Sequence, residues 1–425
     1  MTIAVAPFSL TGELRRRARE TAEAIGRRLL VEMGADERRD PNHERYACRR
    51  LNGPVGFALA FLALATATAD ARFERAMHAQ LKRATEAGGN RTGLFDGISG
   101  LRAVSALAAA IEPRYRALAA QCDVYIEAAF ATAPVLPGWF GDYDVISGCS
   151  GMRLARCIEG ALDEDRLTGL LAWLIEDDRR WTCPRTGSPE APLPRRNLGM
   201  AHGLPGVLAT LTLTLPLFSP RLREHIMRAA EFIVAHQRGN GDLPAWPRNL
   251  EDPPDEPCRS VWCYGAAGVA SALLAVAQSM HELELETFAR AVLHAVGRRS
   301  GTELGAEAQG ICHGTSGLAL IFFAAARRTG EPAFMRACER FTAETLGGLE
   351  AASGRCLTTG LDGVVYDAVG ELNGVAGIAL ALLTMAGDFS DAWLRIHALS
   401  VSPDQGRRSG AQAVASPRSR SACLS

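Results

Sequence analysis

Within this 425-residue chain, Cys263, Cys312 and His313 are the residues whose types and spacing best suit a metal ion. Cys263 stands two residues before a glycine in CYGAAG, Cys312 stands at the same place in CHGTSG, and His313 follows it directly. Two thiolates and an imidazole suit a borderline-soft ion such as zinc. Three protein ligands leave a fourth position open, and an open position implies catalysis. A fourth protein ligand, Cys258 or Cys149, would close the site instead. His202, in NLGMAHG, occupies the same position as Tyr264 and His313 and reads as an acid or base. Asp144, four residues before Gly148 in YDVISG, could orient that imidazole. Arg259, four before Cys263, could stabilise a developing negative charge. Taken singly, each has an ordinary reading as a cap, a surface ion pair or a small residue against a turn, and Trp262 reads as core. The shared register favours the site.

The register comes from a repeat. Seven copies of Gly-x-x-Gly, each followed by an apolar stretch, read LNGPVGFALAFL, FDGISGLRAVSAL, ISGCSGMRLARC, AHGLPGVLATL, CYGAAGVASALL, CHGTSGLALIFF and LNGVAGIALALL. Their first glycines lie 44 to 62 residues apart, room for two helices and their loops in each unit. The stretches after the glycines are apolar nearly all round and predict inner helices packed on both sides. Segments between them are amphipathic and predict an outer layer; in RLREHIMRAAEFIVAHQR the apolar stripe reads Leu222, Ile226, Ala229, Ile233 and Ala235. Ala18, Ala22, Ile25, Leu29 and Met33 make a similar stripe in a leading outer helix. Inner helices that all start at one end aim their free amides and positive dipole ends at a common mouth. An all-α ring of seven helical hairpins, an α/α toroid, follows; the period alone leaves an open solenoid as the alternative.

Composition narrows the partners. Lys and Arg number 46 against 47 Asp and Glu, so no global field draws in nucleic acid or anionic lipid, and neither is expected as a partner. The opening MTIAVAPFSL lacks the basic and apolar regions of a secretory signal, which points to the cytoplasm. Eleven cysteines without the spacing of a disulfide scaffold are expected as thiols, and most of them as small core residues. The charge-free run from Leu51 to Ala69 is nearly long enough to span a bilayer. It holds Gly53, Pro54 and Gly56 and belongs to the repeat, so a buried helix is expected and no transmembrane segment. Asp177 to Arg196 reads as a long loop. Past Trp393 the character changes: residues 1–399 are expected to form the toroid and 400–425, with Cys423, a disordered basic tail.

Through all seven glycine motifs, from Leu51 to Leu383, and most specifically in YDVISG, NLGMAHGLPG, WCYGAAGVA and CHGTSGLA, the sequence resembles the lanthionine synthetase C-like (LanC) family. The resemblance implies an α/α toroid holding one zinc per chain on Cys263, Cys312 and His313. It implies that His202, Asp144, Arg259 and Tyr264 take part in catalysis. The implied reaction adds cysteine thiols of a dehydrated precursor peptide across dehydroalanine or dehydrobutyrine, closing lanthionine or methyllanthionine rings of an antibiotic-type lanthipeptide. No kinase, lyase or dehydratase segment precedes the first repeat, which implies a stand-alone cyclase served by a separate dehydratase, in the cytoplasm or within a membrane-associated biosynthetic complex. The sequence departs from the family pattern in having GAAG in the fifth unit and in the additional thiol of Cys149.

Two rival classes can be set beside this one. A toroidal glycosidase needs paired carboxylates at the mouth and an isoprenoid cyclase an acidic cluster for magnesium, but the register positions carry only Asp96, in another unit. A LanC-like protein that binds thiols, glutathione or a partner without cyclising anything would use the same three ligands.

Overall fold

The computed structural model describes residues 8–34, 51, 53–86, 91–131, 143–160, 166–181, 195–239, 244–359 and 364–399. Seven largely buried helices form the inner wall: α2 (Pro54–Thr68), α4 (Ile98–Ala108), α6 (Cys149–Arg156), α8 (Leu204–Thr214), α10 (Ala266–Met280), α12 (Thr315–Thr329) and α14 (Val375–Met385); six are predominantly apolar, while α6 carries Arg153 and Arg156. The first glycine of each repeat is the N-cap of one of them. Outside them lie α1 (Gly12–Gly34), α3 (Ala71–Glu86), α5 (Tyr115–Ala131), α7 (Arg166–Ile175), α9 (Pro220–Ala235), α11 (Leu283–Gly297) and α13 (Pro332–Ala351).

Each inner helix packs on the next, and α14 packs on α2, so the ring is closed and the solenoid alternative is set aside. The seventh pair is not a hairpin in sequence. The outer partner of α14 is α1, the first described helix, which lays Ala18, Ala22, Ile25 and Leu29 against the ring. Burying Leu29 and Ile25 there contributes about 2 kcal/mol each. In α9 the stripe is Leu222, Ile226, Ala229, Ala230 and Ile233; Ala235, in the last helical position, faces solvent. Neighbouring inner helices are also tied through buried arginines. Arg102 donates to carbonyls at the end of α6, and Arg153 donates to the Thr214 carbonyl (3.0 Å) at the end of α8, supplying donors that helix ends lack.

The loops that enter the inner helices are joined edge to edge. N–H of Leu51 donates to Phe95 C=O (3.2 Å), Phe95 to Ile146 (2.8 Å), Val145 to Ala201 (3.1 Å), Ala201 to Cys263 (3.3 Å), Cys263 to Cys312 (3.1 Å) and Cys312 to Leu372 (2.9 Å). This backbone circuit makes sequence register into spatial adjacency. It demands close packing of each loop on its own helix. Gly265 has φ 85°, and a Cβ there would lie 1.5 Å from the Arg259 carbonyl oxygen; at Gly317 a Cβ would lie 1.9 Å from that of Ile311. Because backbone rather than a flexible side chain must give way, Gly317→Ala is expected to cost about 3 kcal/mol, read as a lowered urea midpoint at unchanged m-value.

A two-stranded hairpin, β1 (Leu357–Thr359) with β2 (Val365–Asp367), sits outside the helical pattern. The 3-10 segment Asp391–His397 is ordered, and Trp393, Leu394, Ile396 and His397 are fully buried, so the core extends past the point where the composition changes. The expected tail at 400–425 and most of the expected Asp177–Arg196 loop lie outside the described residues. No helix among the described residues is long and apolar enough to cross a membrane, and α2 is buried in the ring.

Candidate metal centre

Because the circuit bonds Cys263 N–H to Cys312 C=O, the fifth and sixth loops present their register residues side by side. Cys263, Cys312 and His313 thereby offer ligand atoms that all lie within 4.8 Å of one another, the one such group among the described residues. In a tetrahedral zinc site with Zn–S bonds of about 2.3 Å, donor atoms stand about 3.8 Å apart, so a small closure would fit the ion. Cys263 is buried; Cys312 and His313 are half-buried, so one side remains open to the mouth. Neither Cys258 nor Cys149 joins the group: Cys258 turns to the Glu256 carbonyl, and Cys149 is buried as the first residue of α6.

The two thiols do not ionise alike. The Cys312 S–H donates to the Cys263 sulfur and holds the Cys263 thiol down to about 6, with His313 and Arg259 adding to the effect and burial opposing it. The same bond, burial and the charges of Cys263 and Glu371 push Cys312 up. A metal ion that needs both thiolates must therefore expel at least the proton that Cys312 holds. Its apparent affinity is expected to rise with pH, by about tenfold per pH unit for each proton expelled, measurable by chelator competition.

Beside this group, Asp144 and His202 meet. Asp144 is almost fully buried; its Oδ1 accepts from the N–H groups of Ser147 (2.7 Å) and Gly148 (3.0 Å), and its Oδ2 lies 2.5 Å from His202 Nδ1. The half-exposed imidazole is thus held by Nδ1, which leaves Nε2 for a proton. The Tyr264 ring lies nearly parallel to His202, centroids 6.4 Å apart. Gly199 leaves room for it, since a Cβ there would lie 2.4 Å from the ring. Burial pushes the Tyr264 phenol up, with a hydrogen bond to Asn197 opposing, so it stays neutral.

Arg259 has a partner that the motifs do not reveal. Its guanidinium pairs with Glu307, whose own N–H donates to the His313 carbonyl (3.2 Å), so the cation is tied to the loop of a metal-capable residue. Glu307, Asn197 and the buried pair Glu371 and His397 are the residues near this site that sequence reasoning misses. Glu307 and His397 lie outside the glycine motifs; Asn197, six residues before Gly203 as Arg259 is before Gly265, and Glu371, just before the seventh motif, have a register that could have pointed to them. Trp262 is fully buried, as expected.

Comparison with known proteins agrees with this architecture. A solved structure titled "Nisin cyclase" superposes with a TM-score of 0.74 at 19% sequence identity, covering 89% of this chain and 98% of that one, which shows a shared fold. Residues 50–397 match the family described as lanthionine synthetase C-like protein, from just before the first glycine loop to the buried His397. A match across so much of the ring identifies the lineage: the chain belongs to the lanthionine synthetase C-like protein family.

Proposed function

We propose that this chain is a zinc-dependent lanthipeptide cyclase that adds peptide cysteine thiols to dehydroalanine or dehydrobutyrine. The observation that carries the reading is the convergence of Cys263, Cys312 and His313 at a mouth shared with the Asp144-held His202. When bound, zinc would supply an open coordination position and lower the pKa of an incoming thiol. Cys263, Cys312 and His313 would hold the ion. In the reaction the peptide thiol gives its proton to His202 Nε2, the sulfur attacks the β-carbon, the C–S bond forms as the C=C π pair moves toward the carbonyl, and the α-carbon then takes a proton, so that the S–H lost balances the C–H gained. We assign that proton delivery to His202 Nε2, with Asp144 setting the tautomer through Nδ1. Arg259 is assigned to the enolate oxygen, where its fixed charge opposes the developing one. Tyr264, a neutral phenol stacked beside His202, is assigned to the wall that orients the peptide.

A reaction on thiols suits a reducing compartment, and no disulfide joins the described cysteines. The dehydrated peptide implies a dehydratase acting before this chain. Ring closure changes no mass, so the test counts thiols: a dehydrated Cys-containing peptide incubated with purified protein should lose alkylatable thiols, with one zinc per chain by metal analysis. Zinc bound without thiol loss would favour a thiol- or partner-binding protein, and folded protein without zinc would overturn the proposal.

A further inference from the structure

Glu371 and His397 are both fully buried, with His397 Nε2 2.8 Å from Glu371 Oε1. No role in the reaction above uses them. The pair is costly to place: Glu371 Oε2 and His397 Nδ1 have no hydrogen-bond partner, and the imidazole is enclosed by Trp262, Phe95 and Trp393. What it joins is the C-terminal turn and the seventh glycine loop, and each is bonded to a ligand-bearing loop. The His397 carbonyl accepts the Trp262 indole N–H (2.9 Å), one residue before Cys263. The carbonyl of Leu372, the residue after Glu371, accepts the Cys312 N–H (2.9 Å).

We infer that Glu371 and His397 are positioning residues for the metal centre, clamping the C-terminal turn beneath the two loops that present Cys263 and Cys312. The inference rests on the reading of the trio as a metal site. A carboxylate and an imidazole locked at one distance fix how far the Trp262 and Leu372 contacts can separate, and so the spacing of the two sulfurs. The clamp also gives a reason for a buried ionisable pair where an apolar one would pack at less cost.

The probe is Co2+, whose thiolate charge-transfer absorption reports sulfur geometry, with affinity read by chelator competition on the full chain. Glu371→Leu and His397→Leu are expected to weaken cobalt binding about 10- to 100-fold and to shift that absorption. Glu371→Gln keeps the shape and covers the case in which the leucine variants do not fold; its loss is expected to be smaller, about three- to tenfold. Trp393→Phe is the control: it removes the indole bond to Thr384 (2.8 Å) and loosens the same turn, while an aromatic ring stays against His397 and both groups of the pair are kept. It should lower the thermal midpoint yet leave cobalt affinity within about twofold, a change too small to count as loss of a positioning contact. Wild-type affinity and spectrum in the Glu371 and His397 variants would overturn the inference, as would an equal loss in Trp393→Phe. Wild-type protein that takes no cobalt would instead overturn the metal reading itself.

Discussion

Cys312→Ala is expected to weaken zinc binding about a hundred- to a thousandfold and to abolish thiol addition while the ring stays folded. Three ligands share a binding free energy of about 10 kcal/mol or more, so losing one thiolate removes several kcal/mol. The loss has a second part. The Cys312 S–H is the largest influence holding the Cys263 thiol down, so without it the remaining cysteine binds its proton more tightly and competes less well for metal. Metal analysis and chelator competition measure the effect, with helical circular dichroism as the check on folding. Cys258→Ala and Cys149→Ala, at thiols outside the group, should retain full zinc. An undiminished zinc content in Cys312→Ala would remove the site from this pair of loops.

His202→Ala should lower the rate of thioether formation by about a thousandfold and leave zinc content unchanged. The more informative partner is Asp144→Asn. Asparagine can still accept from Ser147 and Gly148 through Oδ1, so the loop survives. Its amide would then donate to Nδ1 and drive the imidazole proton to Nε2, so that Nε2 can no longer take up a proton and no carboxylate stabilises the imidazolium that must deliver one to the peptide. A loss in kcat at unchanged KM and unchanged zinc would support this orientation; a variant as active as wild type would reduce Asp144 to a loop cap.

Legibility differed from residue to residue for physical reasons. Glycine loops and inner helices were readable because each is a local pattern: an apolar stretch packed on both sides must be apolar all round. Asp144 and His202 were readable as neighbours because both belong to repeat motifs. Arg259 was found but its partner was not, since Glu307 lies in an irregular loop where neither period nor register marks it. Ala235 was placed in the stripe by spacing, yet at the end of α9 the ring no longer covers it.

By itself, then, the sequence determined the seven units, the starts of the inner helices and the common register of Cys263, Cys312, His313, Tyr264 and His202, because these follow from composition within a few helical turns. Only the tertiary structure decided that the ring closes, that α1 serves as the outer partner of α14, and that Glu371 meets His397 under the ligand loops. Those are contacts between residues far apart in the chain, made once rather than seven times, and a contact made once leaves no periodic trace to read.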